Sequence, residues 1–164
     1  MRWLFDEALV DDLYVKHGKG SLKYRLTNED LLVSQKVPLV VSYSLVDLAD
    51  TDYCFYQVMS HDDTKAYFSV MNRLSGSTID ELDSLARELH FRRTPVKGNL
   101  YKVLKKICPD AAFDNLCIFH FALYTSEQIS SRTTGIRSPR VYFMLGRNGI
   151  VYLLFFDPFH EINP

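Results

Sequence analysis

The chain has 164 residues, 47% apolar and 24% charged, with a formal net charge of −1, the ordinary mixture of a single globular domain. That excludes a disordered tail, a collagen-like fibre or a low-complexity scaffold, and it gives no global field that selects a nucleic acid or a membrane. The longest unbroken apolar run, Ile150 to Phe156, is far short of the roughly 20 residues that span a bilayer.

Met1 to Phe5 lead straight into Asp6 and Glu7, so no secretory signal is expected. Trp3, Leu4, Ala8, Leu9, Val10 and Leu13 have approximate helical spacing. A short helix is expected within residues 1–20, stopped by Gly18 and Gly20. From Ser21 to Val46 the pattern is β-like: Leu22, Tyr24 and Leu26 alternate with Lys23 and Arg25. Thr27 to Asp30 is turn chemistry, and Leu31 to Ser34 is expected to return as a hairpin strand. Pro38 opens a further apolar run, Leu39 to Val46, and another follows at Tyr53 to Met59.

His61-Asp62-Asp63-Thr64 reads as a turn before a short strand, Ala66 to Met71. Thr78 followed by Glu81 fits a capping box, and Ile79, Leu82, Leu85, Ala86 and Leu89 then share one face of a helix reaching about His90. Pro95 and Gly98 break the chain before a second helix, about Asn99 to Cys108, with Leu100, Val103, Leu104 and Ile107 on its apolar face. Leu116 to Tyr124 is apolar enough for a strand buried on both faces. Thr125 to Ser138 reads as loop. Arg140 to Leu145 and Ile150 to Phe156 flank Asn148-Gly149, a pair suited to a type I′ turn because both central residues need positive φ.

With Asn148 and Gly149 central, Arg147 faces Ile150, Tyr142 faces Phe155 and Arg140 faces Asp157. Directly opposite residues have Cβ atoms about 5 Å apart, which allows a cross-strand Arg140–Asp157 ion pair. The strands are apolar on both faces, so the hairpin is expected to lie centrally in its sheet. The same register gathers Arg137, Arg140, Asp157 and His160 at one end of that sheet.

Charge is unevenly spread. Residues 1–83 hold 8 Lys/Arg and 14 Asp/Glu (net −6), residues 84–147 hold 11 and 4 (net +7), and residues 148–164 hold Asp157 and Glu161 alone (net −2). The basic stretch is a polyanion footprint if its charges share a face; otherwise acidic and basic parts pack together and cancel. Arg132, Arg137, Arg140 and Arg147 offer planar donor forks suited to phosphate. Arg92, Arg93, Lys97 and Lys102 either continue that track or form a solvated face. His160 is the histidine beside the cluster, suited to acid–base work. The purely structural alternative is that Arg140 and Asp157 close the sheet and Pro158 ends it. His120, within an apolar strand, reads as a satisfied core histidine. No histidine pair has metal spacing, no Gly-rich loop cradles a nucleotide, and Cys54, Cys108 and Cys117 read as buried thiols of a reducing cytoplasm. No metal or other cofactor is called for.

The order strand (Ala66–Met71), two helices, then three antiparallel strands, with Arg132, Arg137 and Arg140 before the last hairpin and His160 after it, resembles the RelE/HigB/ParE-type toxin superfamily. The resemblance covers about residues 66–162. It implies RNA as partner, phosphate binding by Arg137 and Arg140, and His160 promoting cleavage by the ribose 2′-hydroxyl. Residues 1–65 have no counterpart in that family, and Asp157-Pro158-Phe159-His160-Glu161 is not its usual ending.

The sequence is thus read as a single α+β domain with a mixed, mainly antiparallel sheet, two helices on one face and an N-terminal β-rich extension over residues 1–65. The expected function is nucleic-acid binding, in its sharper form a metal-independent RNA endonuclease using His160, Arg140 and Asp157. The rival is a non-enzymatic module that docks a protein partner through an aromatic edge drawn from Tyr43, Tyr53, Phe55, Tyr56, Tyr67 and Phe68.

Overall fold

The computed structural model describes residues 13–17, 20–24, 32–33, 35–46, 52–53, 55, 59–107, 118–125, 128 and 138–164. Two strands, β1 (Leu13–His17) and β2 (Gly20–Tyr24), form an antiparallel pair of their own. The helix expected within residues 1–20 therefore gives way to a strand at Leu13–His17; residues 1–12 lie outside the described ones. At Leu32 and Val33 the expected return strand is helical instead.

The main sheet begins with β3 (Val40–Ser42), so it takes a strand from the N-terminal extension. The run Ala66–Met71, expected as a strand, lies inside a helix, α1 (His61–Leu74). The cause is local. Ser60 Oγ accepts from the Asp63 N–H at 3.1 Å, and the Asp63 carboxylate accepts from the Ser60 N–H at 3.2 Å, a capping box that turns the expected loop into a helical first turn. Tyr67, Val70, Met71 and Leu74 are the buried residues, and their i, i+3, i+4, i+7 spacing is that of one helical face. The aromatic and β-branched content of the segment had masked this period. The family-like order therefore loses its first strand.

Helix α2 (Ile79–Leu89) starts at the expected capping box: Thr78 Oγ1 accepts from Glu81 N, and the Glu81 carboxylate from Thr78 N. It ends at His90, left-handed at φ 51°. A two-residue strand, β4 (Arg92–Arg93), and helix α3 (Gly98–Ile107) follow. The remaining strands are β5 (Ile118–Ala122), β6 (Arg140–Leu145) and β7 (Ile150–Asp157). The order across the sheet is β3-β7-β6-β5-β4, with β3 parallel to β7 and the other pairs antiparallel. The fold is α+β, its central hairpin is interior as expected, and β5 is buried along its whole length.

The hairpin register holds where it matters and shifts where it does not. Asn148 and Gly149 are both left-handed, at φ 53° and 72°, but the Gly146 N–H bonds the Ile150 carbonyl at 2.7 Å. The loop is thus Arg147-Asn148-Gly149, and Arg147 does not pair with Ile150. Near the turn Leu145 pairs with Val151 and Phe143 with Leu153. A bulge at Leu154 then restores the expected pairs, Tyr142 with Phe155 and Arg140 with Asp157. Leu153 therefore shares a face with Phe143, whereas a register counted from Asn148-Gly149 as central residues sets it opposite Met144.

One sheet face carries Phe119, Val141, Phe143 and Phe156. Phe91, just after α2, stacks on Phe119 and Phe143 with centroids at 5.4 and 5.7 Å. Phe55 bridges Tyr67 of α1 and Phe156 at 5.5 and 6.0 Å. The other face carries His120, Arg140, Tyr142, Phe155 and Asp157. Among the described residues no helix is long and apolar enough to cross a membrane. The three cysteines lie outside the described residues.

Candidate functional site

Strand pairing builds a transverse row on the second face. Arg92 pairs with His120, His120 with Tyr142 and Tyr142 with Phe155. The neighbouring row is Ala122, Arg140 and Asp157. The rings of His120 and Tyr142 lie 5.4 Å apart, and those of Tyr142 and Phe155 4.8 Å. His120 is buried, and its Nδ1 shares a hydrogen bond with the hydroxyl of Thr94, the satisfied core histidine that was expected.

Arg140 and Asp157 meet across the strands, yet their side chains bond to backbone. Arg140 Nη1 donates to the Ser138 carbonyl at 3.1 Å. The Asp157 oxygens accept from Glu161 N at 3.0 Å and Ile162 N at 2.9 Å. The expected direct ion pair is not made: burial lowers the Arg140 pKa most, and Asp157 opposes it only from a distance, as the smallest of the influences on it. Asp157, completely buried, holds the turn that carries His160. That turn sets His160 at φ 57°, a conformation unfavourable for most L-residues, and leaves it half-buried.

Positive charge converges here. His120 is pushed down to about 3, first by burial, then by Arg140, Arg92, His160 and His90. His90 is lowered by burial, then by Arg140 and Arg92. Arg140 stays charged despite burial, as a guanidinium does. Burial, followed by the charge of Asp157, raises the Tyr142 pKa, so its hydroxyl keeps its proton.

The structure thus brings His160, Arg140, Asp157 and Arg92 to one sheet end. Lys97, Lys102 and Arg92 are exposed and Arg93 half-buried. Helix α3 follows Lys97 and is tied to the same end, its Asn99 amide donating to the Glu161 carbonyl at 3.1 Å. The side chain of Arg147, and all of Arg132 and Arg137, lie outside the described residues. Among those described, no group of three His, Cys, Asp or Glu is placed to hold a metal ion. Sequence reasoning missed His90, Thr94 and Arg92 as neighbours of His120, because a two-residue strand has no readable period. It also missed that Ser138 and Tyr142 flank Arg140 at i−2 and i+2, a spacing that puts all three on one face of an extended chain.

Elsewhere, β3 is a sheet edge. Beside it an open groove of about 470 Å³ is lined by Val41, Tyr43, Phe68 and Met71 among others. Tyr43 and Phe68 are exposed, whereas Tyr67 is buried. No family model, no curated protein and no solved structure matches the chain.

Proposed function

We propose that the protein binds nucleic acid, RNA foremost, at the sheet end formed by Arg140 and His160, with exposed Arg92, Lys97 and Lys102 contacting flanking phosphates. The observation that supports this reading is the convergence of Arg92 and Arg140, with His90 and His160, around buried His120, whose pKa is lowered first by burial and further by these groups. The carboxylate beside them, Asp157, already accepts two backbone hydrogen bonds. A sheet end that carries Arg92 and Arg140 suits a polyanion.

In the sharper form, His160 takes the proton of a ribose 2′-hydroxyl, the 2′-oxygen attacks the adjacent phosphorus, and the 5′-oxygen leaves. Arg140 then carries the charge that develops on the phosphoryl oxygens. The test is binding of a labelled single-stranded RNA at 50 and 200 mM salt, with RNA integrity followed for wild type and His160→Ala. Binding that weakens steeply with salt supports the interface; cleavage lost in His160→Ala supports the nuclease. Binding without cleavage leaves a nucleic-acid-binding module, and no binding at either salt removes the proposal.

A second reading has its own observation. The β3 edge and the apolar groove beside α1 suit an extended peptide that adds a strand and seats side chains beside Tyr43 and Phe68. Salt-insensitive capture of a protein partner, abolished by Phe68→Asp, is the result that would favour it.

A further inference from the structure

Among the described residues, three buried side-chain polar atoms have no hydrogen-bond partner: Ser138 Oγ, Arg140 Nε and Tyr142 OH. They are not scattered. Ser138, Arg140 and Tyr142 alternate along one extended stretch, since pairing continues beyond β6, with the Leu123 N–H donating to the Pro139 carbonyl at 3.1 Å. Residues two apart on such a stretch project to the same face, about 7 Å apart. The residues are 6%, 5% and 0% exposed, so bulk water does not satisfy them.

Each orphan can donate. The guanidinium Nε–H can only donate, and the Tyr142 hydroxyl keeps its proton because burial and Asp157 oppose ionisation. A buried donor left unmade costs about 1–3 kcal/mol, more when charged, and three in one row is a concentration that calls for an acceptor. The electrostatics agree on its sign. Arg140 is a buried charge whose opposite number, Asp157, is hydrogen-bonded to backbone, and Arg92 adds to the positive potential. A neutral acceptor would add nothing to the partial compensation that Asp157 gives Arg140 from a distance, whereas an anion answers both needs.

We infer that Ser138, Arg140 and Tyr142 form a binding site for one phosphate group, with Arg140 Nε, the Tyr142 hydroxyl and the Ser138 hydroxyl as donors. The inference rests on the nucleic-acid reading for the identity of the anion. It goes beyond that reading by assigning two residues, Ser138 and Tyr142, and by confining recognition to a single phosphate. The same chemistry is offered by a free phosphate ion and by the 5′-terminal phosphate of an oligonucleotide.

The experiment measures thermal stability and binding for wild type, Tyr142→Phe, Ser138→Ala and Arg140→Lys. The probes are inorganic phosphate, a 5′-phosphorylated oligoribonucleotide and the same oligonucleotide with a 5′-hydroxyl. Wild type should gain about 3–5 °C in Tm with a phosphate-bearing probe at ten times its Kd. Tyr142→Phe should bind that probe at least fivefold more weakly, while its Tm without probe equals or exceeds wild type, because an unpaired hydroxyl has gone. Arg140→Lys, which lacks the Nε donor, should lose the most affinity. A response to inorganic phosphate identifies the free ion as sufficient; a response to the 5′-phosphorylated oligonucleotide alone identifies the nucleic-acid terminus.

Unchanged probe binding in Tyr142→Phe and Ser138→Ala overturns the site, as does a wild type that responds to neither phosphate-bearing probe. If the oligonucleotide binds equally with and without its 5′-phosphate in every variant, the interface stands and this site fails. If inorganic phosphate binds through Tyr142 but neither oligonucleotide binds, the site stands and the nucleic-acid reading fails.

Discussion

Acid should destabilise this protein through His120, and the size of the effect follows from its surroundings. A free histidine titrates near 6.5; in the folded chain burial, then Arg140, Arg92, His160 and His90, push His120 down to about 3. Between those two values the unfolded chain binds a proton that the folded chain refuses. Stability therefore falls as pH drops through this window, by about 1.4 kcal/mol per pH unit, and is unaffected by His120 below it. From pH 7 to pH 5 the loss is about 2 kcal/mol. Urea unfolding at pH 7, 6 and 5 measures it, and the control is the double variant Thr94→Val, His120→Phe, which removes the titrating ring and its hydroxyl partner together. The difference in unfolding free energy between wild type and control should shift by about 2 kcal/mol across that range. Parallel pH profiles, or an imidazole resonance of His120 that titrates near 6.5, would refute the reasoning.

Other substitutions probe separate links in the argument. Asp157→Ala removes the acceptor of two backbone N–H groups and the attraction on Arg140; it should cost about 3–5 kcal/mol by urea denaturation, whereas a loss below about 1 kcal/mol would mean that the turn holds itself. Gly149→Ala places a Cβ 2.9 Å from the Pro38 carbonyl oxygen at a φ of +72°; a loss of about 2–3 kcal/mol is expected, and a neutral change would contradict the three-residue loop. Thr78→Ala and Ser60→Ala each remove a capping box and should lower stability by about 1 kcal/mol. Lys97→Glu with Lys102→Glu should weaken RNA binding and flatten its salt dependence by about two charges, with circular dichroism unchanged.

Much of the fold was legible because the decisive signals are local. Thr78 and Glu81 fix the start of α2, and Asn148-Gly149 fix the hairpin to within one residue. The Arg140–Asp157 pairing survived an error in loop length only because the bulge at Leu154 cancels it; nothing in an all-apolar run announces a bulge. The segment Ala66–Met71 misled because Tyr, Phe and Val favour strands, while the Ser60–Asp63 capping box that decides the matter lies outside it. At the site, His160 and Arg140 could be found from the register. Arg92 could not, since β4 owes its pairing with β5 to tertiary structure and not to its own sequence pattern.

Asp157 also shows how one carboxylate can fix a turn and act on a buried charge at a distance. Asp157 stands opposite Arg140, and a direct ion pair would have neutralised the guanidinium and consumed its donors. By bonding the backbone of Glu161 and Ile162 instead, the carboxylate fixes the turn of His160 and leaves Arg140 Nε unengaged. It still offsets part of the buried charge from a distance. The arrangement keeps a buried arginine charged and held through Nη1, with its Nε unengaged, which differs from a sheet-closing ion pair.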